Sequence, residues 1–232
     1  MTLVRVGHKG ADLIAPGNTY ASFDAALEAG VDMIEFDVLR ERGSDRLLLA
    51  HDYEDAARRR PATFEEGLAY LIDERFDGID FDVDLKLPGY ERPVVQALQA
   101  FGVLDRTLIS TQYGSSLAVI RASEPSLRLG WTVPRLRRDP FRSRVLEPMA
   151  HVMAEFARRA LPSRAAAAIR AGRCDALMAH WRLVTARLVE AVGDAGGELY
   201  VWTVDDLATL RALEALGVSG LITNDPRLFA QL

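Results

Sequence analysis

At 232 residues, 49% of them apolar and only one (Cys174) a cysteine, the chain can fill a large core but cannot build an internal disulfide framework. Its net charge of −5 gives no general attraction for nucleic acid or anionic membrane, and no run approaches the roughly 18 apolar residues of a membrane span. The first residues, MTLVRVGHKG, lack the basic segment and apolar core of a secretory leader, so a cytoplasmic location is expected.

In chain order, short apolar runs alternate with longer helical patterns. The runs are Leu3–Gly7, Met33–Val38, Ile79–Leu85, Thr107–Thr111, Leu127–Val133, Ala176–Ala179, Leu199–Val204 and Gly220–Thr223. Most are rich in Val, Ile, Leu or Trp and bounded by Gly, Asp or Pro, as buried parallel strands are. Between them, NTYASFDAALEAG places Phe23, Ala26 and Leu27 on one helical face and closes at Gly30. RPVVQALQAFG starts near Pro93 and ends before Gly102, and DDLATLRALEALG carries leucines at 207, 210, 213 and 216. Eight strands with helical crossovers predict an α/β fold, a single (β/α)8 barrel over residues 1–232. A doubly wound open sheet would need a Gly-rich phosphate turn after its first strand, and none is present.

One connection departs from the alternation. LRERGSDRLLLAHD is too short for a crossover helix and suits a β-hairpin turning at Gly43–Ser44. Reflection about that turn brings His51 to the level of residue 36, beside Glu35 and Asp37. The longest crossover, Pro134 to Arg173, reads as helical and Arg-rich.

Basic residues are unevenly chosen: 26 are Arg and only Lys9 and Lys86 are Lys. Where Arg has replaced nearly every Lys, these two mark positions suited to a compact ammonium. Polar residues gather at the predicted strand ends: His8, Glu35 and Asp37, Asp84 and Lys86, Gln112, His180, and Asn224 with Asp225. In a barrel of this kind the strand ends carry the reactive groups. Each i, i+2 pair faces one way along its strand. Three carboxylates at one mouth stay ionised only beside a cation, and all-oxygen ligands select a hard one, Mg²⁺ or Ca²⁺. His8 and His51 can serve as general acid and base, in either order. Cations beside two imidazoles suit a phosphodiester substrate.

The motifs HKG, PGNT, EFDV, HD, DLK, IST, WTV and GLITNDP follow one another along nearly the whole chain. In this the chain resembles the glycerophosphodiester phosphodiesterases, TIM-barrel enzymes that release an alcohol and glycerol phosphate with a divalent metal. The resemblance implies Glu35, Asp37 and Asp84 as metal ligands, His8 and His51 as the acid–base pair, and Lys86 with Lys9 as phosphate contacts. Four departures stand out: Lys9 for an Arg, Gly17 for a Glu, Asp84 for a Glu, and Gln112 where Phe is common. The family's insertion after His51-Asp52 is shortened to YEDAARRRPATFEE, in which Arg58–Arg60 are candidates for phosphate capture. Asp84 also resembles sphingomyelinase D-like relatives, which implies a cyclising lyase on lysophospholipid-like diesters as an alternative. A non-catalytic phosphodiester-binding barrel is the other. Trp202 either lines the mouth, against an apolar or cationic alcohol group, or packs in the core. His180 points either into the mouth or away from it. His151 reads as structural or surface, and the arginines at 135, 137, 138, 142 and 144 as a solvated crossover or an attractor of anions.

Overall fold

The computed structural model describes residues 2–134 and 147–232, with side chains from residue 155 in the second stretch. The arginines at 135, 137, 138, 142 and 144 and the side chain of His151 lie outside the described residues.

In chain order the elements are β1 (Val4–Gly7), α1 (Tyr20–Glu28), β2 (Met33–Arg40), β3 (Leu47–Leu49), α2 (Tyr53–Arg58), α3 (Phe64–Leu71), β4 (Asp80–Leu85), α4 (Glu91–Ala100) and β5 (Thr107–Thr111). They continue with α5 (Gly114–Ser123), β6 (Arg128–Val133), α6 (Glu147–Arg170), β7 (Ala176–His180), α7 (Ala186–Gly193), β8 (Glu198–Trp202), α8 (Leu207–Ala215) and β9 (Gly220–Thr223). Eight strands pair in parallel around a ring, β1–β2–β4–β5–β6–β7–β8–β9, and β9 pairs back onto β1. This is a closed (β/α)8 barrel, and closure excludes the doubly wound alternative. All eight apolar runs are strands, within one or two residues at each end.

The hairpin is also present. β3 runs antiparallel to β2 with Val38 opposite Leu49 and Arg40 opposite Leu47. Continuing that register by two residues sets His51 against Phe36, so the hairpin carries a histidine back to the strand end from which it left. The shortened stretch after Asp52 is ordered as α2 and the start of α3. Asp52 caps α2 by accepting from the Glu54 and Asp55 amides, and Thr63 with Glu66 forms a capping box on α3. Among the described residues, no helix is long and apolar enough to cross a membrane.

Two apolar layers hold the barrel. The larger lies between the strands and the surrounding helices, and includes Phe23, Phe36, Phe64 and Phe81. The smaller fills the barrel interior with Val6, Met33, Leu108, Ala176, Met178, Tyr200 and Ile222. Below it, Arg128 bridges Asp80 and Glu198 and donates to the Tyr200 hydroxyl at 3.1 Å. Tyr200 is therefore fixed at both ends, and its ring explains Gly220: a Cβ there would lie 2.4 Å from Tyr200 Cδ1 and 3.1 Å from the Val4 carbonyl oxygen. Gly220→Ala is expected to destabilise the chain by roughly 1–3 kcal/mol through overpacking. Denaturant unfolding checks this; an unchanged midpoint would mean that the Tyr200 ring can swing aside.

Candidate active site

Alternation along each strand aims one set of side chains into the barrel, and at the strand ends that set is polar. β2 contributes Glu35 and Asp37, and its neighbour β4 contributes Asp82 and Asp84 in register, Glu35 beside Asp82 and Asp37 beside Asp84. Lys86 follows directly. Its ammonium lies 2.6 Å from Asp37 Oδ1 and 2.7 Å from Asp84 Oδ2, bridging two of the predicted metal ligands.

The turn after β1 holds these carboxylates from the other side. Lys9 has a left-handed backbone (φ 51°), which turns its amide to donate to Glu35 Oε2 at 2.7 Å. Asn18, also left-handed (φ 58°), clamps Asp37: its Nδ2 donates to Asp37 Oδ2 at 2.8 Å and its Oδ1 accepts from the Asp37 amide at 2.9 Å. A left-handed non-glycine residue is strained, and two in one turn are stabilised by the bonds they make. The Lys9 ammonium pairs with Asp12 at 3.3 Å, and Asp12 also accepts from the Gly17 amide at 2.8 Å. A Cβ at position 17 would lie 2.5 Å from Asp12 Oδ1. Thus the turn that lacks a carboxylate at Gly17 has one from Asp12 in the adjoining space.

His8 ends β1. Its Nδ1 lies 2.6 Å from Asn224 Oδ1, and Asn224 is oriented in turn by Asp205, to which its Nδ2 donates at 2.7 Å. The amide thereby presents its oxygen to His8, so Nδ1 carries the proton. Nε2 is left as an acceptor, 3.8 Å from Glu35 Oε2. His51 Nδ1 lies 3.0 Å from Asp52 Oδ2, the helix-capping carboxylate.

The electrostatics follow from burial. His8 is pushed down to about 4, first by desolvation and then by the Lys9 charge. Burial alone would raise Asp37, but Lys86, His51, Lys9 and His8 outweigh it and hold that carboxyl well below its usual range. Burial, with Asp37 next, pushes Glu35 well above the carboxylate range. Burial also raises Asp84, and takes Asp82, beside Asp84, to about 8. Burial would lower Lys86, yet Asp37, Asp84 and Glu35 hold it well above the usual lysine range. The neighbouring positive charge therefore keeps Asp37 ionised, while at Glu35, Asp82 and Asp84 burial outweighs the charge that Lys86 supplies.

That shortfall is a test of fit for a metal. Glu35, Asp37 and Asp84 each offer an oxygen, and these oxygens lie within 4.8 Å of one another. Asp84 Oδ1 is buried and accepts no hydrogen bond among the described residues, and Asp37 Oδ1 meets only the Lys86 ammonium. Unmatched buried oxygens cost about 1–3 kcal/mol each, more when charged, unless a cation or ligand meets them. A donor set of carboxylates alone fits a hard divalent ion, and the shorter side chain of Asp84 still reaches the cluster.

The cavity over this cluster measures about 250 Å³ and is lined by His8, Glu35, His51, Asp84, Lys86, Gln112 and Trp202, with Asp82, Ser110, Thr132 and Met178 further in. Trp202 faces it while its indole N–H donates to the Met178 carbonyl oxygen at 2.9 Å. His180 is not among the lining residues. It accepts from the Arg182 amide and sets its ring edge to face with Trp202 at 5.2 Å. Of Arg58–Arg60, Arg58 pairs with Glu54, and Arg59 pairs with Asp55 and donates to the Leu49 carbonyl oxygen at 2.8 Å. A larger cavity, about 830 Å³, lies outside the barrel between α5 and α6, but its lining of Ala, Gly, Leu, Trp and Arg with Gln112 and Cys174 holds no carboxylate or imidazole. The reactive groups are at the barrel mouth. Asn18, Asp205, Asp82 and Thr132 were not singled out by the sequence; Asn18 stands in the PGNT motif, which was its one available signal.

Residues 8–58 match the glycerophosphoryl diester phosphodiesterase family, and residues 198–227 match a second description of the same family. A glycerophosphodiester phosphodiesterase of Caldanaerobacter subterraneus is 23% identical over 100% of this chain and 97% of its own length. Among solved structures, a glycerophosphodiester phosphodiesterase from Agrobacterium tumefaciens superposes with a TM-score of 0.70 at 19% identity, over 100% of both chains. An Oleispira antarctica phosphodiesterase in complex with the product sn-glycerol-3-phosphate superposes with a TM-score of 0.73 at 18% identity, over 98% of this chain and 95% of that one. Both ends of the barrel match the same family, and a relative aligns along the full length between them. The chain is thus similar to the glycerophosphoryl diester phosphodiesterase family at residues 8–58 and 198–227, and to one such phosphodiesterase along its full length.

Proposed function

We propose that the chain hydrolyses glycerophosphodiesters to glycerol phosphate and an alcohol, using Glu35, Asp37 and Asp84 to hold one divalent cation, Mg²⁺ or Ca²⁺. The observation that carries this reading is the meeting of three carboxylates, Lys86 and two histidines around one small cavity. When bound, such a cation supplies positive charge to the phosphate oxygens and the departing alkoxide.

The chain's own residues divide the remaining work. Lys86, held between Asp37 and Asp84, adds fixed positive charge beside the phosphate, and Lys9 adds a second ammonium over the turn. His8, with its proton fixed on Nδ1 by Asn224, offers Nε2 as the acceptor that takes a proton from the attacking water. His51, anchored through Nδ1 to Asp52, has its Nε2 available to protonate the leaving alcohol. Trp202 and Gln112 line the wall against which the substrate sits.

Choline release from glycerophosphocholine tests the proposal. Activity is expected with Mg²⁺ or Ca²⁺, is lost on chelation and returns when the metal is restored. Phosphorus NMR should show glycerol phosphate as the product. A cyclic phosphate that persists would replace hydrolysis by cyclisation, and tight binding without turnover across metals would overturn the enzymatic reading.

A further inference from the structure

The shortened stretch after Asp52 carries one side chain that the proposed chemistry does not use. Of its three consecutive arginines, Arg58 and Arg60 are exposed, whereas Arg59 is half-buried. Arg59 closes α2 and turns inward. Its Nε donates to Asp55 Oδ1 and its Nη2 to Asp55 Oδ2, both at 2.8 Å. Nη2 also donates to the Leu49 carbonyl oxygen at 2.8 Å, and Nη1 to the Asn18 carbonyl oxygen at 3.4 Å. One guanidinium thus joins the end of β3, the first turn of α2 and the turn after β1.

Those segments carry different parts of the site. The last pair of the β2–β3 ladder is Val38 with Leu49, so His51 stands two residues beyond it, with its side chain half exposed. The His51 amide donates to Asp55 Oδ2 at 3.1 Å, the same oxygen that accepts from Arg59 Nη2. The paired guanidinium holds the Asp55 carboxyl below its usual range, which keeps it a charged acceptor. On the other side, Asn18 clamps Asp37 through its side chain while its carbonyl oxygen accepts from Arg59.

We infer that Arg59 is a positioning residue: through Asp55 it fixes the backbone of His51, and through Asn18 it ties that histidine to the turn that holds Asp37. The inference rests on the phosphodiesterase reading, with His51 as proton donor to the leaving alcohol. A planar fork can serve a carboxylate and two carbonyl oxygens at once, whereas an ammonium is a point charge on a flexible stem. A proton donor displaced by on the order of 1 Å loses about 10²-fold in rate.

The test varies the leaving group. Choline leaves as a basic alkoxide that needs a proton, whereas p-nitrophenolate is a stable anion that departs without one. Glycerophosphocholine and glyceryl p-nitrophenyl phosphate therefore separate loss of the proton donor from general damage to the fold. With His51→Ala, kcat for choline release is expected to fall about 10²–10⁴-fold and nitrophenolate release by less than about tenfold. Arg59→Met is expected to lower kcat for choline release about 10–100-fold, with KM within about twofold, and to leave nitrophenolate release within about threefold. Arg59→Lys is expected to behave like Arg59→Met, because it keeps the charge and loses the fork. Asp55→Ala removes the acceptor of the His51 amide and should reproduce the same selective loss, with folding of each variant checked by circular dichroism. If Arg59→Met and Asp55→Ala slow both substrates equally, or neither, while His51→Ala discriminates, the inference is overturned. Equal slowing of both substrates by His51→Ala would remove His51 as the proton donor, and the inference with it. Absence of choline release by the wild-type chain would instead overturn the phosphodiesterase reading itself.

Discussion

Glu35→Ala is expected to lower kcat/KM for glycerophosphocholine by about 10³-fold or more, and to remove the rise in Tm that Mg²⁺ or Ca²⁺ gives the wild-type chain. The substitution deletes one of three oxygens that could hold the cation and leaves the Lys9 amide without its 2.7 Å acceptor. Glu35→Gln separates these effects, since the amide oxygen can still accept from Lys9 while the negative charge is gone. If the charge matters, the glutamine variant fails nearly as badly as the alanine one, and metal no longer raises its Tm. A glutamine variant with near wild-type activity and an intact metal response would remove Glu35 from the ligand set.

His8→Gln is expected to lower kcat by about 10²–10⁴-fold, the range for a positioned general base. Asn224→Leu should cost less, about 10–100-fold, because it removes only the group that fixes the ring. The pH profile adds a readout that a merely structural role would not move. With His8 held at about 4, the acid limb of kcat/KM is expected near pH 4 rather than near the 6.5 of an ordinary imidazole, and His8→Gln should abolish that limb. Stability carries the matching sign. Between about pH 6.5 and 4 the unfolded chain binds more protons at this position than the folded one, so this term destabilises the fold as pH drops through that window. An acid limb at 6.5 that survives His8→Gln would assign base catalysis to another group.

The sequence discloses the barrel clearly because buried parallel strands must be almost continuously apolar. Val4–Gly7 and Gly220–Thr223 read as strands for that reason, although nothing local says that they pair with each other. The hairpin is legible too, since Gly43–Ser44 leaves too few residues for a helix, and its register fixes the level of His51. The shortened stretch after Asp52 offers no comparable period, and its two helices emerge from caps at Asp52 and Thr63.

The site divides in the same way. His8, Glu35, Asp37, Asp84 and Lys86 are visible as polar residues at strand ends, and their side-chain directions follow from alternation along single strands. The sequence by itself determined which strands carry charge and which face of each strand carries it. Only the tertiary structure decided which charges meet. Pairing of β2 with β4 places Lys86 between Asp37 and Asp84, the turn after β1 sets Asn18 on Asp37 and Asp12 against Gly17, pairing of β8 with β9 sets Asp205 behind Asn224, and closure of β9 onto β1 brings Asn224 to His8. Those contacts join elements brought together by strand order and turn geometry, and burial then multiplies their electrostatic effect. Lysine scarcity marks Lys9 and Lys86 in the sequence, but only the fold gives each ammonium its carboxylate partners.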